Sequence, residues 1–132
     1  MKILIADDNI PFAEVIKEVI EQKSNYTILN IAKSSQEQIQ LMNQYNFDII
    51  ITDNIRKEEN ITGLDIILKS LNDKRKEKYI LITAMSKINF IDKKTKELPQ
   101  NVIGFLEKPF FEYDKLIEYL KLAENVIKNT TP

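Results

Sequence analysis

The chain has no cysteine and no histidine among its 132 residues. The first absence excludes disulfides and thiolate metal sites. The second excludes imidazole acid–base chemistry, Ser-His-Asp triads and the usual zinc sites within this chain. A dominant charge is lacking too: 19 basic and 20 acidic residues leave a net charge of −1, so no global pull toward nucleic acid or membrane is expected. No segment approaches the roughly 20 apolar residues of a membrane span. The N-terminal apolar stretch is short, is broken by Asp7, and does not read as a signal peptide. A cytoplasmic location is the default expectation. No internal repeat, low-complexity tract, helix-turn-helix or basic recognition helix is seen, so neither direct nucleic-acid binding nor membrane association is expected.

What is present is enough chain for one domain with a full core, in the composition of a soluble globular protein. Short β-rich apolar runs at Lys2–Ala6, Tyr26–Ala32, Asp48–Thr52, Tyr79–Thr83 and Val102–Leu106 alternate with stretches of helical spacing. Phe12, Ala13, Ile16, Val19 and Ile20 form one stripe; Ile39, Met42 and Tyr45 a second; Leu64, Ile67, Leu68 and Leu71 a third; Leu116, Leu120, Ala123 and Ile127 another. Ile88, Ile91 and Leu98 suggest a weaker helix ended by Pro99. Asn9 can cap the first helix, with Pro11 tolerated in its first turn. Ser34 with Glu37, and Thr62 with Asp65, read as capping boxes. Strand-helix repeated five times predicts an α/β domain, doubly wound as (βα)5, with a five-stranded parallel sheet covered on both faces. Residues 1–128 are expected to form it, with 129–132 a fraying C-terminal tail that could begin a linker.

The strand ends carry the chemistry. The first run stops at Asp7-Asp8 and the third at Asp53. As neighbouring strands of one sheet they bring three carboxylates to one edge. Such a cluster persists only with a cation among the groups or with protons on them. Oxygen-only ligands with room for water suit magnesium. The fourth run ends in Thr83, followed by Ala84, and the fifth leads into Lys108-Pro109. Ligands of open α/β sheets bind beyond these carboxyl ends. Three carboxylates, a hydroxyl and an ammonium suit phosphoryl transfer, which is mostly positioning and charge stabilisation. One carboxylate can serve as nucleophile and form an aspartyl phosphate. Asp53, alone at the end of a central strand, is the best candidate.

In this order and at these strand ends, Asp7-Asp8, Asp53, Thr83-Ala84 and Lys108-Pro109 resemble the receiver domain of two-component response regulators, over essentially the whole chain. The resemblance implies a flavodoxin-like fold of the chemotaxis-regulator kind. It implies a signalling switch rather than a metabolic enzyme, with Asp53 accepting phosphate from a sensor histidine kinase or a phosphotransfer protein. The missing histidine fits, since the donor would be a separate protein. Mg2+ would be held by Asp8 and Asp53 directly, by Asp7 mostly through water, and by the Ile55 carbonyl. Thr83 corresponds to the switch hydroxyl, Phe105 to the aromatic switch position, and Lys108–Pro109 to a cis peptide bond that aims the lysine. The output surface would be the face of the fourth helix, fifth strand and fifth helix. That face would bind a partner, a second copy in a homodimer, or a fused or separate output domain.

The chain departs from the family after Asp53. Lys57 stands where a proline is usual, and the glycine that opens the next helix, Gly63, comes about two residues late. Ile55 and Met85 stand at positions that in the family border the path of attacking water; both are apolar here, which predicts slow self-dephosphorylation. A degenerate receiver acting as a phosphorylation-independent binding module is the first rival reading. A magnesium-dependent phosphohydrolase is the second, disfavoured because such enzymes usually place their first-strand acids one residue apart, whereas Asp7 and Asp8 are adjacent.

Overall fold

Runs of isoleucine, leucine and valine form five strands, β1 (Ile3–Ala6), β2 (Ile28–Ala32), β3 (Ile49–Asp53), β4 (Lys78–Thr83) and β5 (Val102–Glu107). The computed structural model describes residues 1–54, 60–84, 97–108 and 113–130. All five strands are parallel, in the order β2-β1-β3-β4-β5. Four helices are described: α1 (Ile10–Lys23), α2 (Ser35–Gln44), α3 (Gly63–Asn72) and α4 (Tyr113–Thr130). Of the weaker helix expected from Ile88 through Leu98, residues 85–96 lie outside the described residues, and Glu97 and Leu98 are not helical. The C-terminal helix includes residues 129 and 130, which the sequence reading assigned to the tail. No described helix is long and apolar enough to cross a membrane.

The sheet divides the core in two, as strand alternation requires. Ile3, Ile5, Ile49, Ile51, Ile80 and Ile82 point to one side, where Ala13, Ile16 and Ile20 of α1 and Leu116, Leu120 and Ala123 of α4 cover them. Leu4, Ala6, Ile50, Tyr79 and Leu81 point to the other, under Met42 of α2 and Leu64, Ile66 and Ile67 of α3. The expected stripes on α1 and α4 face the core. On α3 the buried face is shifted from the expected stripe: Leu64 and Ile67 are buried as expected, but Ile66 and Ser70 join them while Leu68 and Leu71 lie exposed. Tyr45, expected in the stripe of α2, is exposed as the residue ending that helix.

Helix starts follow the predicted caps. Asn9 Oδ1 accepts from the Phe12 N–H at 3.2 Å. Ser34 Oγ accepts from Glu37 N–H at 3.1 Å, and the Glu37 carboxylate reaches the Lys33 N–H at 3.2 Å. Thr62 and Asp65 form a complete capping box, with Asp65 N–H donating to Thr62 Oγ1 at 3.1 Å and Thr62 N–H to Asp65 Oδ2 at 2.8 Å. At the far edge Gly104 of β5 leaves room for the ring of Tyr119 on α4: a Cβ there would stand 2.6 Å from that ring.

Candidate functional site

The strand order reverses beside β1. The chain steps out from β1 to β2 and then returns past β1 to β3, so the carboxyl ends of β1 and β3 lie side by side at the switch point. Register completes the placement. Ala6 pairs with Thr52, so Asp7 and Asp53, the next residues on each strand, emerge together. Asp8 joins them, and one carboxylate oxygen from each of Asp7, Asp8 and Asp53 lies within 4.8 Å of the others. Asp7 and Asp53 are buried, and Asp8 is the more open of the three.

Asp7 is held by backbone and side chain alike. Its own N–H donates to the Ala32 carbonyl at 3.0 Å. Its Oδ1 accepts from the Asn9 N–H at 2.8 Å, and its Oδ2 from the Lys108 ammonium at 2.8 Å. Lys108 comes from the end of β5, where its N–H donates to the Thr83 carbonyl at 2.8 Å. Thr83 ends β4 opposite Glu107 and is buried. The Lys108 ammonium also lies over the Phe12 ring, 4.5 Å from its centroid. The ends of β1, β3, β4 and β5 thus share one sheet edge, as the strand-helix pattern predicted, and the start of α1 joins them there.

The helix after Asp53 is pressed onto it. The N–H of Gly63 donates to the Asn54 carbonyl at 2.7 Å, and the N–H of Leu64 to Asn54 Oδ1 at 3.0 Å. The Thr52 hydroxyl donates to the Asp53 carbonyl at 2.8 Å. A Cβ on Gly63 would fall 2.0 Å from that same carbonyl oxygen. The late glycine is therefore the residue at which α3 meets the end of β3 at Asp53. The extra residues of the departure fall before it.

Phe105 is buried on the side of the sheet covered by α2 and α3, 7% exposed. Ile55, Met85 and Pro109 lie outside the described residues, so the expected carbonyl ligand, the second water-path position and the cis bond are not part of this description. Three contributors went unnoticed in the sequence: the Asn9 backbone, the Phe12 ring and Asn54. Phe12 read as one apolar residue in a helical stripe. Asn54 had no signal beyond its place after Asp53.

The donor set fits a hard divalent cation. All three donors are carboxylate oxygens, the ligand type that a hard divalent cation such as Mg2+ takes. Three carboxylates crowd this edge, with the Lys108 ammonium on Asp7, and a cation among them would relieve their mutual repulsion.

Comparisons with known proteins agree with this geometry. A family profile described as the response regulator receiver domain matches residues 3–121. The response regulator TrrA of Thermotoga maritima, solved in complex with Mg2+-BeF, is 27% identical with a TM-score of 0.76, over 93% of this chain and 99% of that one. The receiver domain of the Francisella response regulator 1452 is 24% identical with a TM-score of 0.78, over 95% of this chain and 98% of that one. A response regulator receiver domain protein of Clostridium thermocellum is 23% identical with a TM-score of 0.79, over 98% of both chains.

Proposed function

Because this chain belongs to the response regulator receiver domain family, whose members are phospho-aspartate switches of two-component signalling, we propose that Asp53 is the phosphoryl acceptor and that a sensor histidine kinase or a phosphotransfer protein is the donor. A carboxylate oxygen of Asp53 attacks the phosphorus of a phosphohistidine. The P–N bond breaks, the imidazole leaves and takes up a proton, and an aspartyl phosphate remains. The observation that supports this most is the convergence of Asp7, Asp8 and Asp53 within 4.8 Å beside the Lys108 ammonium.

Each residue has a task in this reading. Asp8 and Asp53 would hold Mg2+ directly, and Asp7 through water with the Ile55 carbonyl as a further oxygen. The cation supplies positive charge against the carboxylates and the incoming phosphoryl oxygens. Lys108 is already at the edge of the cluster and moves from Asp7 toward the new charge. The Thr83 hydroxyl, tied to Lys108 through the backbone, turns onto the phosphoryl oxygens. Phe105 sits buried beside β4, and its position couples Thr83 to the face of β5 and α4, which carries the signal to a partner, a second copy or an output domain. This is a two-state equilibrium biased by new local charge.

TrrA was captured with Mg2+-BeF; for this chain the test is Mg2+ with a small phosphodonor. With Mg2+ and a small phosphodonor the protein gains the mass of one phosphoryl group, and Asp53→Asn gains none. Labelling retained in Asp53→Asn would overturn the assignment of the acceptor.

A further inference from the structure

Lys108 has two partners of different character. Its ammonium donates to Asp7 Oδ2 at 2.8 Å and lies 4.5 Å from the centroid of the Phe12 ring. Lys108 is only 23% exposed at its side chain and Asp7 4%, so water screens neither contact fully. Phe12 stands in the first turn of α1. There the unpaired N–H groups make the end of the helix positive and oppose a nearby cation. An aromatic face offsets that repulsion, because its quadrupole presents negative charge to the ammonium. An aliphatic side chain of similar size offers none.

One residue sets both partners. The backbone N–H of Asn9 donates to Asp7 Oδ1 at 2.8 Å, while its side chain caps α1 by accepting from the Phe12 N–H at 3.2 Å. Asp7, Asn9, Phe12 and Lys108 form a closed ring of contacts, in which the cap that starts the helix also fixes the aromatic ring under the lysine.

We propose that Phe12 is a positioning residue for Lys108, holding the ammonium at the edge of the acidic cluster by its ring face as it passes from Asp7 to the phosphoryl oxygens. This rests on the receiver reading of the site. Asp7 alone would hold Lys108 by a directional ion pair that must break before the ammonium can reach a phosphoryl group. The ring attracts the cation over a broad surface without a hydrogen bond, so it retains Lys108 while the partner changes.

The test compares wild type with Phe12→Leu and Phe12→Tyr in the full chain, each checked for dispersed amide resonances. The first readout needs no phosphorylation: the ε-methylene resonance of Lys108 is shifted upfield by the ring in wild type and Phe12→Tyr, and returns toward its ordinary position in Phe12→Leu. The second is labelling of Asp53 by acetyl phosphate with Mg2+. Phe12→Leu lowers the labelling rate at saturating donor about 3- to 10-fold, with Mg2+ affinity unchanged, and Phe12→Tyr restores it. Equal rates in wild type and Phe12→Leu, or a Phe12→Tyr variant as slow as Phe12→Leu, would overturn the positioning role alone. A wild type that is never labelled would overturn the receiver reading and this role with it.

Discussion

Asp8 is the carboxylate whose removal separates stability from function. It is the most open of a like-charged group and contributes to its repulsion. Asp8→Asn should raise the stability of the metal-free protein by roughly 0.5–1 kcal/mol, read from urea unfolding in chelator, and should abolish the gain in melting temperature on adding Mg2+. A variant less stable than wild type in chelator would show that the cluster is not strained. Gly63 is the opposite case, a residue with no charge and no freedom. Its substitution by alanine drives a Cβ to 2.0 Å from the Asp53 carbonyl oxygen, so α3 must move. A loss of about 1–3 kcal/mol is expected, with a fall in the Asp53 labelling rate that Ala substitutions elsewhere on α3 do not cause.

At the scale of elements, caps and registers decide where the side chains go. The capping box at Thr62 both starts α3 and fixes the helix that touches Asp53. Thr62→Ala should cost about 1 kcal/mol, measured by chemical denaturation. A change below a few tenths would mean that the Asn54 contacts alone seat the helix. This cap was legible because its spacing is local: Thr62 and Asp65 sit three apart. So were those at Asn9 and Ser34. The burial of α3 was not. Its sequence offers two overlapping apolar faces, Leu64-Ile67-Leu68-Leu71 and Leu64-Ile66-Ile67, and only the sheet beneath decides between them. Long-range pairs were hidden for the same reason. Nothing near Arg75 in the sequence announces that its guanidinium bonds to the Met42 carbonyl at 2.9 Å. The Phe12–Lys108 contact likewise needs the first helix and last strand assembled. The acidic cluster was readable despite its separation, because strand ends in a parallel sheet are brought to a common edge by topology rather than by side-chain packing.

For the molecule as a whole, one buried phenol reports on global unfolding. Tyr79 is fully buried between β3 and β5, and burial pushes its ionisation above the ordinary value of 10.0. A raised folded value means that the neutral phenol is favoured in the native state. Its contribution is therefore complete below the unfolded value, near pH 10, and is lost as pH rises above it. Ultraviolet difference titration should show Tyr79 ionising last of the five tyrosines, together with loss of the far-ultraviolet helix signal. Ionisation of all five before unfolding would contradict its burial in solution.

The contact of Gly104 with the Tyr119 ring leaves no gap between β5 and the C-terminal helix. On the receiver reading, displacement of β5 at Gly104 would carry the Tyr119 ring with it, and a partner sensing the switch would meet strand and helix as one surface.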